Sequence, residues 1–408
     1  MEAPLIEVPD GTVTTPEGFL AGATDARVRD DYAPGRLDMG LLHSERPCAA
    51  AASYTQNSFL GPPLRVTRAH LANGRAQAVV ANSGIANCLT GEPGVADAEE
   101  MTRLAAEKLH LDPGDVAVAS TGVTGWRLPM DRIRAGIDRI STTAAGGDRF
   151  AHAIMTTDTV VKQTAVRFEH DGVAYSVGGC AKGSGMIAPN MATMLSFLTT
   201  DAAVDQSFLQ SLLSGAVDVS YNMMTFDGDT SPEDLVLLLA NGARSNGDRP
   251  IDAQHPAANV FRAAVEHVAV TLARKLARDG EGAGKLIEVR VDNAESIQDA
   301  RVVAKTIAGS ALVKTAVYGN DPNWGRVLVA AGNSGARIEE PRVSLAIQEI
   351  DVYRNGEPLP FEKAAVSTLL AQPDVRFRID LALGDATATA WGCDLTPEYV
   401  RINSEYTT

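Results

Sequence analysis

The interpretation of this chain starts from a glycine-rich stretch, GGCAKGSGMIAPNMAT (178–193), and the apolar stretch that follows it, MLSFLTT (194–200). The first stretch contains four glycines, a proline and one lysine. Glycine allows the backbone to approach a ligand closely and to adopt unusual dihedral angles. The second stretch has the apolar and β-branched composition of a buried strand. Thr193 therefore lies at the junction between a predicted loop and a predicted strand.

Thr193 has two interpretations. Threonine is β-branched and common where strands begin, so a structural role accounts for it without any chemistry. Alternatively, a threonine exposed by chain cleavage is a nucleophile that its own α-amine activates. An α-amine has an ordinary pKa of roughly 7.7–8.0, which suits a general base at cytosolic pH. From the residues alone the structural interpretation is the simpler one, and both stay open.

Helices and strands alternate on both sides of this junction, which predicts a mixed α/β fold. Strand-like segments are predicted at 76–81, 116–119, 194–200, 235–240, 286–291, 312–317 and 343–352, and hairpins at 160–177 and 375–392. Helices are predicted at 96–109, 130–139, 147–155, 205–219, 257–278 and 295–307. The segment 1–60 is predicted to be irregular, and a boundary near residue 283 would begin a smaller C-terminal domain.

The composition is that of a globular protein. The chain has 408 residues, of which 45% are apolar and 21% charged, so it is long enough for two or three domains. With 36 basic and 51 acidic residues its net charge is −15. This charge argues against a nucleic-acid-binding surface, because such surfaces cluster lysine and arginine.

The cysteines and the N-terminal sequence favour a cytoplasmic protein. The four cysteines lie far apart without CxxC spacing, which excludes a zinc ribbon and suggests reduced thiols. The sequence MEAPLIEVPDGT (1–12) has neither the basic nor the apolar region of a signal peptide. No apolar run approaches the length of a membrane span, so we expect no membrane partner.

Familiar catalytic and cofactor motifs are missing from the sequence. It has no GxSxG elbow, HExxH pair, Walker A loop or dinucleotide-binding fingerprint in a suitable context. GCAKGSG (179–185) resembles a phosphate loop only loosely, because it lacks the Gly-Lys-Ser/Thr ending. The seven histidines lie outside the glycine-rich segments, so no metal site and no cofactor is predicted.

Several separate motifs lie in order along almost the whole chain. The most specific segment is KGSGMIAPNMATMLSFLTTDA (182–202). The others are VTTPEGF (13–19), NSGIAN (82–87), STGVTG (120–125), AIMTTDT (153–159), FDGDTSPEDLVLLLANG (226–242), DGEGAGKLIEV (279–289), LVKTAVYGNDPNWGR (312–326) and YVRINSEYTT (399–408). Together these motifs resemble the ornithine acetyltransferase family, which is also called the bifunctional glutamate N-acetyltransferase or ArgJ family.

The resemblance implies an N-terminal-nucleophile-like fold, which is a layered αββα sandwich, with a smaller C-terminal α/β domain. It also implies a precursor that cleaves itself between Ala192 and Thr193. Cleavage would give an α chain, 1–192, and a β chain, 193–408. The core part of the β chain would be 193–282, and 283–408 would be the smaller domain, with a tail that returns to the active site. Two α and two β chains would form a heterotetramer.

The implied reaction is a ping-pong acetyl transfer that needs no cofactor. N-acetylornithine would acetylate Thr193 and release ornithine, and glutamate would then take the acetyl group to form N-acetylglutamate in arginine biosynthesis. The resemblance assigns the oxyanion hole to Thr121 and Gly122. A hydroxyl and a backbone N–H there would stabilise a tetrahedral oxyanion, and loss of one such donor typically slows a reaction by about 10²–10³. Without the resemblance, STG is an ordinary turn after a strand.

The resemblance also implies a set of substrate-binding residues. Besides Thr193, these are Thr156, Lys182, Glu281, Asn403 and Thr408. Lys182 would favour the neutral form of the Thr193 amine through its own positive charge. Glu281 would hold the amino groups of ornithine, and Asn403 and Thr408 would reach back from the tail. Each of these residues also has a structural explanation. Thr156 would be a helix cap, Lys182 a loop lysine and Glu281 a turn glutamate. Asn403 and Thr408 would belong to a frayed chain end.

The sequence departs from the family pattern near several of these positions. The family usually has asparagine where this chain has Ile85, and Ala-Thr-Lys where it has Ala-Gly-Lys at 283–285. It usually reads Ser-Thr-Asn-Asp where this chain has Ser-Pro-Glu-Asp at 231–234. Pro232 removes a backbone donor, and Glu233 adds negative charge. Three alternatives therefore remain: a paralogue of specialised metabolism with another N-acyl amino acid, an amidase or aminopeptidase with the same nucleophile, and a non-catalytic relative.

Overall fold

The computed structural model describes residues 4–186, 194–245 and 249–405. Within these ranges the chain forms one sheet of nine hydrogen-bonded strands and a second sheet of six strands. Helices cover both assemblies, so the mixed α/β class predicted from the sequence is confirmed. No helix in the described ranges is long and apolar enough to span a membrane.

The nine-stranded sheet comes from the part of the chain before residue 245. Its order is β1-β6-β7-β8-β9-β3-β4-β5, with β2 paired to β3. These strands are β1 (Ile6–Glu7), β2 (Phe19–Thr24), β3 (Met39–Tyr54), β4 (Arg75–Asn82), β5 (Val116–Ser120), β6 (Lys162–His170), β7 (Val173–Lys182), β8 (Leu195–Ala202) and β9 (Leu235–Arg244). The helices in this part are α1 (Pro62–His70), α2 (Gly91–Leu109), α3 (Met130–Arg139), α4 (Gly147–Ala153), α5 (Gln206–Val219) and, just after it, α6 (Ala258–Arg278).

The buried side chains show that the nine-stranded sheet forms two packed layers. Phe197 of β8 and Leu237 of β9 share an apolar cluster with Val79 of β4 and Ala117 of β5. The strands β4 and β5 therefore face β8 and β9 across a common core. Strand β3 belongs to both layers, and its pairing with β4 is irregular between His43 and Cys48.

Helices cover the outer face of each layer. Leu198 of β8 and Leu238 of β9 pack with Leu213 of α5 and Leu272 of α6. On the other side, α2 and α3 share a cluster with alternate residues of β4 and β5. The arrangement is helix, strand, strand, helix, which is the αββα sandwich predicted from the family resemblance. Strands β8 and β9 read as continuous apolar runs because both of their faces are covered.

The second sheet lies entirely after residue 285, in the order β13-β12-β11-β14-β10-β15. Its strands are β10 (Leu286–Ala294), β11 (Ser344–Ile347), β12 (Ile350–Arg354), β13 (Glu357–Pro358), β14 (Asp374–Asp380) and β15 (Ala386–Cys393). Its helices are α7 (Ile297–Gly309), α8 (Ala311–Tyr318), α9 (Trp324–Gly332), α10 (Lys363–Leu370) and the terminal α11 (Pro397–Glu405). Helix α6 packs on β6 and β7 and also on β10 and β15, so one apolar cluster runs from the sandwich into this sheet. The domain boundary at 282/283 stays a prediction.

The sequence prediction was wrong for the segment 1–60, which contains β2 and β3. The alanine-rich segment of β3 has little intrinsic strand preference. It is a strand because residues 49–54 pair with β9 while residues 39–43 pair with β4. Tertiary pairing, which local sequence does not reveal, therefore forms this strand.

Two predictions in the C-terminal part were also wrong. Residues 312–317 were predicted to be a strand but lie in helix α8. Val313, Ala316 and Val317 are its buried face at helical spacing, and the Ser310 side chain caps its first turn by accepting from Val313 N–H. Residues 343–352 form two strands instead of one, because Gln348 has a positive φ of 54° and the chain turns there into a hairpin.

Candidate active site

A cavity of about 260 Å³ opens where the two strand layers end beside helix α11. Six residues predicted from the sequence line it: Thr121, Gly122, Thr156, Lys182, Glu281 and Asn403. They come from separate regions of the chain, which the fold brings together. Ala192, Thr193 and Thr408 lie outside the described residues, so their roles stay predictions.

Met194, the residue that follows Thr193 in sequence, is held at the start of β8. Its N–H donates to Oδ1 of Asp234 at 2.8 Å, and its carbonyl accepts from Leu235 N–H at 3.0 Å. Lys182, the last residue of β7, pairs with Leu195 across the antiparallel ladder. The strand that begins after the predicted cleavage site therefore starts next to the lysine that lines the cavity.

Thr121 and Gly122 follow β5 in a turn with a fixed backbone. Thr121 N–H donates to Asn82 O, and Val123 N–H donates to Gly84 O, both at 3.0 Å. Gly122 has a φ of 126°, and a Cβ there would lie 2.3 Å from the carbonyl carbon of Gly84. Only glycine fits this backbone and this spacing. Position 122 is thus set by its contact with the loop after β4.

Lys182 contacts Thr121 directly. Its Nζ lies 2.9 Å from Thr121 Oγ1, and both residues are buried. An ammonium group has no acceptor lone pair, so the lysine donates and the hydroxyl accepts. The hydroxyl proton of Thr121 is then free to point elsewhere. Burial lowers the pKa of Lys182, and the negative charge of Asp158 partly opposes this effect.

Asp158 organises the wall behind Lys182. Its Oδ1 accepts from Lys162 Nζ at 2.6 Å and from Gly183 N–H at 2.7 Å, and its Oδ2 accepts from Thr156 N–H at 3.0 Å. Burial alone would raise the pKa of this carboxyl, but the charges of Lys162 and Lys182 leave it below its ordinary value. Asp158 thereby fixes residues on either side of the cavity wall.

Asp158 lies in the motif AIMTTDT (153–159), in which the family resemblance predicts a role only for Thr156. A second acid without a predicted role, Asp279, accepts from Lys162 Nζ at 2.5 Å. Each acid lies in a segment that resembles the family pattern. Asp279 and Lys162 are 117 positions apart in the chain, so no local signal could have revealed their pairing.

Glu281 lies on the side of the cavity that helix α11 covers. Its N–H donates to Ser184 O at 2.8 Å, and its Oε2 accepts from Asn403 Nδ2 at 2.8 Å. Its carboxylate also fills the space beside Gly185, where an added Cβ would lie 2.4 Å away. Asn403 in helix α11 lines the same cavity, and the return of the tail to an active site stays a prediction. Tyr399 of the same helix lines the cavity, and burial together with the nearby acids raises its pKa.

Two adjacent acids, Glu233 and Asp234, lie in the loop before β9. Both are buried, and burial raises the pKa of each well above its ordinary value. Asp234 accepts from Met194 N–H, whereas neither oxygen of Glu233 has a partner among the described residues. Glu233 lines the cavity, as do Asp227 and Asp229. In the sequence, Glu233 stands out only as a departure from the family pattern.

The cavity combines a group of hydrogen-bond donors with an acidic lining. Thr121, Gly122 and Lys182 can stabilise a developing oxyanion, while Glu233 and Glu281 can bind an ammonium group. Among the residues that the structure describes, no cluster of three or more His, Cys, Asp or Glu side chains could hold a metal ion.

Comparison with known proteins finds relatives over nearly the full length. The sequence model of the ArgJ family matches residues 20–408. An arginine biosynthesis bifunctional protein ArgJ from Symbiobacterium thermophilum is 51% identical over 400 residues, covering 98% of this chain and 99% of that protein. One from Dehalococcoides mccartyi is 46% identical over 408 residues, with both chains fully covered.

A solved structure also matches. The crystal structure of an arginine biosynthesis bifunctional protein ArgJ from Bacillus halodurans is 44% identical, with a TM-score of 0.51. The match covers 52% of this chain and the whole of that chain.

Proposed function

This chain belongs to the ArgJ family, and on that premise we propose that it transfers an acetyl group from N-acetylornithine to glutamate in arginine biosynthesis. The observation that carries the proposal is the buried contact between Lys182 and Thr121 at the cavity wall. It supports a prepared oxyanion site beside the strand that follows Thr193.

The first proposed step is cleavage of the chain. The Thr193 hydroxyl attacks the carbonyl of Ala192, the peptide nitrogen leaves as the α-amine of Thr193, and water hydrolyses the resulting ester. The products are a carboxylate at Ala192 and a new N-terminal threonine. The second product would be the segment 193–408, slightly more than half of the chain.

The second proposed step is acetylation of Thr193. Its α-amine takes the hydroxyl proton as the oxygen attacks the acetyl carbonyl of N-acetylornithine. The tetrahedral oxyanion accepts hydrogen bonds from the Thr121 hydroxyl and Gly122 N–H. The amine then returns the proton to the departing nitrogen, and ornithine leaves. Lys182 has no free lone pair as an ammonium, so its donation to Thr121 leaves the hydroxyl proton of Thr121 for the oxyanion.

The third proposed step returns the acetyl group to an amine. Glutamate attacks the acetyl ester of Thr193, the same donors stabilise the second oxyanion, and N-acetylglutamate leaves with the threonine hydroxyl restored. Thr156 and Glu281 bind the substrate, and Asn403 and Thr408 close the cavity from the tail. The contact between Asn403 and Glu281 supports this arrangement of the tail. No cofactor or metal is required by the chemistry.

The assembly and location follow the family in this proposal. The α and β chains of two precursors form a heterotetramer, and the enzyme works in the cytoplasm. Size-exclusion chromatography with light scattering tests the first statement, and fractionation of the source cells tests the second.

The experiment that tests the function begins with the purified protein. Under denaturing conditions the protein should separate into two fragments, 1–192 and 193–408, the second beginning Thr-Met-Leu-Ser. Thr193→Ala should stay as one chain and be inactive, and Thr193→Ser should retain partial cleavage. Ornithine release from N-acetylornithine is then measured with and without glutamate.

Acceleration by glutamate, with N-acetylglutamate as product, supports transfer. Release that is independent of glutamate would identify an amidase instead. An intact, active chain of 408 residues would contradict the nucleophile assignment.

A further inference from the structure

Glu233 is a buried acid in the wall of the cavity. It lines the same space as Thr121 and Lys182 and is only 4% exposed. Neither carboxyl oxygen has a hydrogen-bond partner in the part of the chain that the structure describes. An unpaired buried carboxylate is costly, so the group must either hold a proton or be paired by a ligand.

The carboxyl lies at a helix end whose first two residues offer it no N–H group. A Cβ on Gly61 would lie 1.5 Å from Oε1 of Glu233, so the carboxyl occupies the space of a side chain just before α1. A helix N-terminus normally offers free N–H groups. Pro62 and Pro63 occupy the first two helical positions and have none. No described residue pairs with the Glu233 carboxyl, and the cavity that Glu233 lines is where a ligand would reach it.

The charges around Glu233 make it easy to protonate. Burial raises its pKa most, and the negative charge of Asp234 raises it further. The thiol of Cys88 also faces it, and burial raises the pKa of that thiol to about 12, so the thiol stays neutral. The positive charge of Lys182 lowers the pKa of Asp234. Helix α1 has no charged residue before Arg65 that could change the pKa of Glu233.

The proposed reaction presents this cavity with two substrates of opposite side-chain charge. N-acetylornithine carries an ammonium group, and glutamate carries a carboxylate. A permanently ionised wall would attract the first and repel the second. Glu281 already accepts from Asn403, and the three N–H donors of an ammonium group can be shared by more than one carboxylate of the cavity wall.

We infer that Glu233 is the specificity-determining group that adapts to the charge of the substrate side chain. As a carboxylate it pairs with the ammonium group of the donor, which Glu281 holds from the other side. As a carboxylic acid it donates a hydrogen bond to the side-chain carboxylate of the acceptor. It takes the proton from solvent when the acceptor binds and returns it when the next donor binds. This inference rests on the proposed acetyl transfer.

The test measures two selectivities of the cleaved enzyme between about pH 6 and pH 9. Donor selectivity is the ratio of kcat/KM for N-acetylornithine to that for N-acetylnorleucine, which has a methyl group in place of the ammonium group. Acceptor selectivity is the ratio for glutamate to that for glutamine. Titration of the nucleophile and of the attacking amine affects both members of a ratio, so these effects cancel.

In the unmodified enzyme we expect donor selectivity to rise with pH and acceptor selectivity to fall over the same interval, each by at most about ten-fold per pH unit. In Glu233→Gln both ratios should become independent of pH. Its donor selectivity at high pH should be about 10- to 100-fold lower, because one charged hydrogen bond is lost. Glu281→Gln should lower donor selectivity while leaving the pH trends in place.

Asp201→Asn is the matched control. Asp201 is also a buried acid whose pKa burial raises, but it accepts from the N–H groups of Ser176 and Glu17 and lies outside the cavity. This variant should keep both pH trends. Urea unfolding verifies that each variant is folded. If Glu233→Gln does not fold, Glu233→Asn replaces it in the same measurements.

The outcomes separate two failures. If the unmodified enzyme does not move acetyl from N-acetylornithine to glutamate, the proposed function is wrong and this inference is overturned with it. If it does, but its two ratios are flat with pH, or Glu233→Gln keeps their trends, the inference alone is wrong.

Discussion

Lys182 Nζ and Thr121 Oγ1 lie 2.9 Å apart, although the two residues are 61 positions apart in the sequence. One ends β7 in one layer of the sandwich, and the other follows β5 in the facing layer. The hydrogen bond therefore spans the two layers at the edge where the cavity opens. Because the lysine donates, it orients the Thr121 hydroxyl as a donor for another group.

Thr121→Ala should slow acetyl transfer by about 10²–10³, because it removes one oxyanion donor. The decrease should appear in kcat and in kcat/KM alike, since the bound substrate carries no oxyanion until the nucleophile attacks. Thr121→Ser keeps the hydroxyl and should stay within about ten-fold of the unmodified enzyme. If both variants retain full kcat while losing stability, Thr121 is a structural turn residue.

The sequence could predict the layered fold and six residues of the cavity, because these depend on motifs that lie in order along the chain. It could not predict the contact between Lys182 and Thr121, which arises only when the two layers pack. The prediction for strand β3 was wrong for a related reason, since its alanines form a strand through their pairing with β9, which is distant in sequence. The prediction of a strand in place of helix α8 was wrong because a short apolar run fits either a strand or a buried helix. Only the packing of the run determines which of the two forms.

Gly122→Ala should disrupt the oxyanion site, and Gly125→Ala is its matched control. Both glycines have positive φ, 126° and 77°, so alanine is strained at each. A Cβ at position 122 would lie 2.3 Å from the Gly84 carbonyl carbon, whereas at position 125 it would meet nothing within 4 Å. The backbone of Gly84 must move in the first case only.

We expect Gly125→Ala to cost about 1 kcal/mol of unfolding free energy and to leave kcat nearly unchanged. Gly122→Ala should cost more and lower kcat by at least about 10², because the N–H of residue 122 moves with the backbone. Urea unfolding and steady-state kinetics measure the two effects. Equal kcat values for the two variants would exclude residue 122 as an oxyanion donor.

Asp158→Asn should change how stability depends on pH. The folded pKa of Asp158 lies below its unfolded value, so the ionised carboxyl stabilises the protein above the unfolded pKa of roughly 3.9. That contribution is lost as the pH falls through the folded pKa. Removing one partner of a buried ion pair costs about 3–5 kcal/mol, because Lys162 keeps its charge.

Urea unfolding at pH 7 and at successively lower pH should therefore show a less stable variant with a flatter loss of stability in acid. Asp201→Asn provides the contrast, since burial raises the pKa of that carboxyl and its replacement should change the pH dependence with the opposite sign. An Asp158→Asn protein with unchanged stability at pH 7 would show that Lys162 is adequately paired by Asp279 alone.

Gly61 and Glu233 should be coupled in stability. Gly61 has a φ of −66° and a ψ of 151°, which alanine adopts without strain. Gly61→Ala should nevertheless cost about 1–3 kcal/mol in the unmodified background, because the new Cβ would lie 1.5 Å from a buried oxygen of Glu233. In a Glu233→Ala background that oxygen is gone. The same change should then be neutral or stabilise the protein by about 0.4–1 kcal/mol, since alanine reduces the freedom of the unfolded chain.

Urea unfolding of the four proteins in this double-mutant cycle gives the coupling energy, which we expect to exceed about 1 kcal/mol. The kinetic counterpart distinguishes a displaced carboxyl from a merely crowded one. If Gly61→Ala pushes the Glu233 carboxyl out of its place, donor selectivity for N-acetylornithine over N-acetylnorleucine should fall together with stability. Additive free energies would mean that the carboxyl relaxes freely away from Gly61. The fixed position on which the selectivity of Glu233 depends would then not exist.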